Sequence, residues 1–177
     1  MNKTNPSNLP KTLLAACLLL SSLNATCADD KLFFPTTEEE IINALTLKPK
    51  MRGPGGLSQD EPEPPKVGAL IHFDFDSADI LPESHSLLHK YGRVLQGPLA
   101  DAILVIAGHT DSIGPKLYNF YLSYQRAFAV KTFLISHYQV ADKRFIIKAN
   151  GESQPINTNR TEQGRAMNRR VEFVRIE

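Results

Sequence analysis

A chain of 177 residues with a formal net charge of +1 lacks the basic excess on which non-specific nucleic-acid binding rests. Its two cysteines, Cys17 and Cys27, both fall within the first 28 residues, so a chain cut after Ala28 holds no disulfide framework. Nucleic acid is therefore excluded as a partner, and any stable domain must be built on an ordinary apolar core.

Residues 1–28 read as a secretory signal. Lys3 and Lys11 give a positive start, Leu13 to Leu20 an apolar centre, and Thr26-Cys27-Ala28 a small-residue end before Asp29. The unbroken apolar run is about eight residues, whereas a membrane span needs about 20. Leu14-Ala15-Ala16-Cys17 also looks like a lipid-attachment sequence, but it leaves only Thr12 to Ala16 as apolar centre, shorter than the usual 7–15 residues. Cleavage is the reading these lengths favour, and a lipidated Cys17 is the alternative. Residues 29–66 then carry five Lys/Arg against eight Asp/Glu, and residues 67–177 thirteen against eleven. That asymmetry is too small to name a partner.

Residues 29–50 form a short N-terminal segment with one expected helix. Thr37 stands three residues before Glu40, the spacing of a capping box. Ile41, Ile42, Leu45 and Leu47 would line one side of it. So short a helix is marginal alone and must dock on the domain or on a partner. Residues 51–66 read as a linker: Gly53, Gly55 and Gly56 loosen it, while Pro62, Pro64 and Pro65 stiffen it.

Residues 67–177 have the size of one domain. Leu70 to Phe75 alternates, with Ile71, Phe73 and Phe75 facing one way, and predicts a half-buried strand. Pro82 opens a helix carrying Leu87, Leu88, Tyr91, Val94 and Leu95, stopped at Gly97-Pro98. The continuous apolar run Ile103 to Ala107 predicts a strand buried on both faces. Gly114-Pro115 starts a long helix reaching about His137. A strand over Arg144 to Ala149, a helical turn at Thr161 to Gly164 and a last strand over Val171 to Ile176 follow. The expected class is α+β, in the order β-α-β-α-β-(turn)-β. It closes most simply as a two-layer sandwich, with helices packed on one face of a mixed four-stranded sheet.

Two charges stand out against this frame. Asp111 lies just past the buried strand, and Arg126 about three turns into the following helix. An anion and a cation on neighbouring elements would make a socket for a zwitterion such as an amino-acid head group. Each also has a plain explanation, Asp111 as a turn cap and Arg126 as a surface ion pair. Asn119 and Leu122 share a helical face with Arg126, and Ser123 borders it, which suggests a ligand wall. The acids Asp74, Asp76 and Asp79 lack the ligand count of a calcium loop. His85 and His89 sit four apart without a third metal ligand. His109, Asp111 and Ser112 or Ser123 are triad residue types, but no nucleophile elbow holds either serine. The basic block Arg160, Arg165, Arg169, Arg170 and Arg175 reads as exposed positions on an edge strand, unless Arg169 or Arg170 approaches the Asp111 loop as a second cation.

Five motifs occur in order: Phe73 to Ile80; Gly108 to Ser112; Tyr118-Asn119 with Leu122-Ser123 and Arg126-Ala127; Asn150 to Ser153 with Pro155; and Gly164 to Glu172. Over residues 68–176 they resemble the OmpA C-terminal-like domain, shared with peptidoglycan-associated lipoproteins and flagellar stator proteins. The resemblance implies a non-enzymatic, cofactor-free clamp in the periplasm, associated with the outer membrane of a Gram-negative envelope. Its partner would be peptidoglycan and its ligand the diaminopimelate of the stem peptide. By position, Asp111 would meet the ligand ammonium and Arg126 its carboxylate. Asp76 would line the pocket, Asn119 and Leu122 would shape its wall, and Arg170 would flank it. Ala149-Asn150 departs from the more usual Gly-Tyr, and no β-barrel sequence precedes the domain, unlike a porin. An interaction module that recruits an envelope protein through residues 31–50 is the alternative. Nothing in these motifs bears on oligomeric state.

Overall fold

The computed structural model describes residues 31–47 and 63–177. The expected signal and most of the expected linker lie outside the described residues. Among the described residues, four helices and four strands follow in order: α1 (Glu38–Leu45), β1 (Lys66–Ala69), α2 (Pro82–Gln96), β2 (Leu104–His109), α3 (Lys116–Tyr138), β3 (Phe145–Gly151), α4 (Glu162–Asn168) and β4 (Val171–Arg175). A 3-10 turn over Asp142–Arg144 leads into β3.

The sheet has the order β1-β4-β2-β3, with β4 antiparallel to both neighbours and β2 parallel to β3. Ile106 pairs with Phe173 and Gly108 with Val171, so all four point to one face. On that face Tyr91 of α2 stacks on Phe173, with ring centroids 4.2 Å apart. α3 presses on the same face so closely that a Cβ at Gly108 would lie 2.0 Å from the Ser123 carbonyl oxygen. Both long helices therefore cover one side of a mixed four-stranded sheet, as the apolar patterning implies. Leu88, Leu95, Leu104, Ile106, Val130, Leu134 and Phe173 fill the space between.

The N-terminal segment belongs to this same compact unit. The capping box forms: Thr37 Oγ1 accepts from Glu40 N, and Glu40 reaches back to Thr37 N. Ile41 and Leu45 are wholly buried in the domain core. Gly68 N donates to Phe33 O at 2.8 Å, Lys90 Nζ to Thr36 O at 2.5 Å, and Arg93 pairs with Glu38 at 2.6 Å. Ile41 and Leu45 of α1 are thus taken up by its own domain, while Leu47 and Phe33 stay exposed.

Two strand assignments differ from expectation. The first strand is Lys66–Ala69, not Leu70 to Phe75. β4 begins at Val171, opposite Ala69, so the chain beyond Ala69 has no ladder to join. Residues 70–75 leave the sheet and make one isolated bridge, Phe73 to Ile80. Ile71 stays buried, but Phe75 is 94% exposed. β4, expected as an edge strand with exposed arginines, is interior, and both Arg170 and Arg175 are buried.

Candidate functional site

The site is built where β2 hands over to α3. His109 N donates to Arg170 O at 3.0 Å and Thr110 N to Gly151 O at 2.9 Å, which carries strand-like order one residue past β2. Asp111 follows, 8% exposed. Its Oδ1 accepts from Ile113 N at 3.0 Å, the plain turn-capping bond. Its Oδ2 takes Arg169 Nη1 at 2.8 Å. Gly114, at φ +97°, turns the chain in a conformation that a side chain resists, and Pro115 precedes the first turn of α3.

The buried face of α3 carries Asn119, Leu122, Ser123 and Arg126, as the three-and-four spacing implies. Asn119 Nδ2 donates to Glu152 Oε2 at 2.6 Å and to Asp111 O at 3.3 Å, tying helix, strand end and following loop together. Ser123 Oγ accepts from Gly151 N and donates to Phe120 O. Close approach at Gly108 and Gly151 sets α3 against the strand ends, and this brings Arg126 to the cleft that Asp111 borders.

Arg126 is the most unusual group. It is 7% exposed, donates from Nε to Ser77 O at 3.0 Å, and lies 4.9 Å from the Phe73 ring centroid. Among the described residues no carboxylate comes within salt-bridge distance of it. Burial, and then the charge of Arg169, push its guanidinium below its ordinary value, while Asp111 opposes the shift. It stays a cation, desolvated and without an anion.

These groups line a cleft of about 870 Å³. Asp111, Arg126, Asp76, Asn119 and Leu122 all border it, joined by Thr110, Tyr118, Phe73 and Arg169. Asp76 sits at φ 53° in the turn after Phe75 and accepts a hydrogen bond from Tyr118 Oη. Thr110 Oγ1 is buried with no hydrogen-bond partner among the described residues. Phe75 and Ile113, both strongly exposed, border the opening.

Arg170 does not join them. It is 2% exposed, and its guanidinium bonds Glu172, the Gln154 carbonyl and the Asn168 carbonyl. Arg169 takes the flanking place, bridging Asp111 and Glu162. Which of the two adjacent arginines faces the cleft depends on the exit of α4 into β4, where Arg170 N bonds Asn168 O. The basic block alone left that choice open, and the resemblance placed Arg170 there; the structure places Arg169. Tyr118 and Glu152 stood inside or beside the quoted motifs, but their partners Asp76 and Asn119 come from distant segments.

The other candidate chemistry is dispersed. His109 is 1% exposed and faces Glu172 at 3.3 Å, and Ser123 Oγ is occupied by backbone, so the triad residue types do not converge. His85 and His89 pack on Phe133, and His89 Nδ1 meets Tyr138 Oη at 2.8 Å. Among the described residues no three His, Cys, Asp or Glu side chains are grouped to hold a metal.

The sequence model of the OmpA family matches residues 72–169, over half of the chain. Outer membrane porin F of Pseudomonas fluorescens is 42% identical over 108 residues, 60% of this chain and 32% of that protein. The peptidoglycan-associated lipoprotein of Pseudomonas aeruginosa is 35% identical over 103 residues, 58% of this chain and 60% of that one. The crystal structure of the peptidoglycan-associated lipoprotein from Burkholderia pseudomallei superposes with a TM-score of 0.54 at 30% identity, over 59% of this chain and 87% of that chain. The chain spans about one third to three fifths of the length of these two curated relatives.

Proposed function

The chain belongs to the OmpA family, and on that premise we propose that its cleft binds peptidoglycan non-covalently in the periplasm, tethering this protein to the wall. The ligand group is the diaminopimelate of the stem peptide. Its carboxylate meets Arg126 and its ammonium meets Asp111. Asp76 with Tyr118 closes one side, and Asn119 and Leu122 form the wall. Arg170 has no contact in this reading; Arg169 supplies the second cation, and Arg170 holds the strand behind the cleft.

One observation carries the proposal. A guanidinium 7% exposed, in a cleft and without a carboxylate partner among the described residues, is costly in the free protein and is repaid when an anion binds. Asp111, paired with Arg169 on the same cleft, adds a carboxylate acceptor for a ligand that carries a cation as well as an anion. The task is holding rather than cutting: Ser123 Oγ is taken up by the Phe120 carbonyl and the Gly151 amide, and His109 faces Glu172.

Charge-assisted hydrogen bonds contribute about 1.5–3 kcal/mol each. Two or three of them sum to about 3–9 kcal/mol, and an association cost of about 4 kcal/mol or more leaves no better than about −5 kcal/mol, a Kd of about 0.2 mM or weaker. A polymeric wall presents the ligand at high local concentration, so such weak sites suffice. Sedimentation with purified sacculi tests the reading: wild-type protein should pellet, and Asp111→Ala and Arg126→Ala should stay in the supernatant. Wild type that stays in solution, or variants that pellet equally, would refute it.

A further inference from the structure

A second groove, of about 440 Å³, runs beside the cleft between the 76–79 loop and the outer face of α3. Its floor is Tyr124 and Phe128, one helical turn apart and 47% and 50% exposed. Their rings are near-parallel, 14° apart, with centroids 6.4 Å apart, so they present two ring surfaces and not a closed stack. Its rim is polar: Asp76, Ser77, Asp79 and Gln125. Large apolar side chains left in contact with water beside a polar rim mark a binding surface.

The groove and the cleft share a wall. Asp76 borders both. The loop is pinned by Arg126 through Ser77 O, by Tyr118 through Asp76, and internally by Asp79 N to Ser77 Oγ. A polymer segment leaving the cleft past Asp76 enters the groove directly.

The chemistry selects the occupant. An apolar protein helix would bury the Asp79 carboxylate without a partner. A basic peptide would find Asp76 already hydrogen-bonded by Tyr118 and close to the Arg126 charge. A sugar ring is neutral, with apolar C–H faces for the two aromatic rings and hydroxyl edges for carboxylate acceptors. We propose that this groove is a saccharide subsite, taking a sugar of the glycan strand whose stem peptide lies in the cleft. The proposal rests on the peptidoglycan reading above.

The test titrates two soluble probes calorimetrically: a diaminopimelate stem tripeptide, and the same tripeptide on its N-acetylglucosaminyl-N-acetylmuramyl disaccharide. Wild type should bind the disaccharide form about tenfold tighter, as expected when a second contact is linked to the first. Tyr124→Ala/Phe128→Ala should bring that ratio to about one with the tripeptide Kd unchanged. Asp79→Asn, a milder change on an exposed loop, should lower the ratio about threefold. A wild-type ratio near one with tripeptide binding intact overturns this inference alone. So does a ratio that survives the substitutions, or an oligolysine peptide that binds through Tyr124 and Phe128 while the disaccharide adds nothing. If neither probe binds wild type, the cleft reading falls as well.

Discussion

Replacing Arg126 with methionine separates a ligand-binding cation from a structural one. Methionine keeps most of the side-chain length and apolar contact while removing the charge. The free protein then loses a charged hydrogen bond to Ser77 O, worth about 1.5–3 kcal/mol, and a contact with Phe73 worth about 0.5–2 kcal/mol. It also escapes the desolvation of a cation that has no carboxylate partner among the described residues, several kcal/mol in the opposite direction. The terms nearly cancel, so stability should change by no more than about 1 kcal/mol, or about 3–5 °C in Tm for a domain of this size. Binding has no such compensation. The bound carboxylate would be left facing an apolar side chain, costing about 2–4 kcal/mol, or roughly 30- to 1000-fold in Kd. Thermal unfolding and calorimetric titration with diaminopimelate stem peptide measure the two effects on one sample. A variant that melts more than 10 °C lower would show that Arg126 chiefly holds the 76–79 loop. A variant that binds like wild type would show that the cation is not where the ligand sits.

Acid should destabilise the fold through the buried group behind the cleft. Burial alone would raise Glu172, but the His109 hydrogen bond and the charge of Arg170 overcome it and hold the carboxyl at about 2. Burial lowers His109 against the pull of Glu172. Both folded values lie below the unfolded ones, so the unfolded chain binds more protons and stability falls as pH drops. The loss should begin below about pH 6.5 for His109 and continue from about pH 4.5 to 2 for Glu172, read as the urea midpoint; Glu172→Gln should flatten the lower part. Gly108→Ala should cost about 3 kcal/mol or more and weaken sacculus binding, because the new Cβ meets backbone at 2.0 Å and must lift α3 from β2. Ile41→Ala should lower stability by about 2–5 kcal/mol in a chemical-denaturation series, since Ile41 is wholly buried; a neutral result would mean that α1 is not part of the core.

Features carried by short stretches of chain were legible before any fold was known. The capping box of Thr37 and Glu40 is a contact over three residues, and it forms as spaced. Pro82 and Gly97 bracket α2, and the face of Asn119, Leu122 and Arg126 follows from helical period alone. Leu70 to Phe75 misled because alternation reports which side chains could share a face, not whether a neighbouring strand is there to pair. Phe75 keeps the pattern and is still out in solvent.

The sequence by itself determined the α+β class, the helices with their caps, and the residue types able to hold a zwitterion, because each depends on neighbours within a turn or two. Tertiary structure decided the rest. Asp111 and Arg126 are fifteen positions apart, and they border one cleft because Gly108 lets α3 rest on β2. Arg169 faces the cleft and Arg170 the interior because of how α4 passes into β4. α1 faces inward because the core offered Ile41 and Leu45 a place beside α2 and β1. Each outcome turns on a contact between segments tens of residues apart, which no local period encodes.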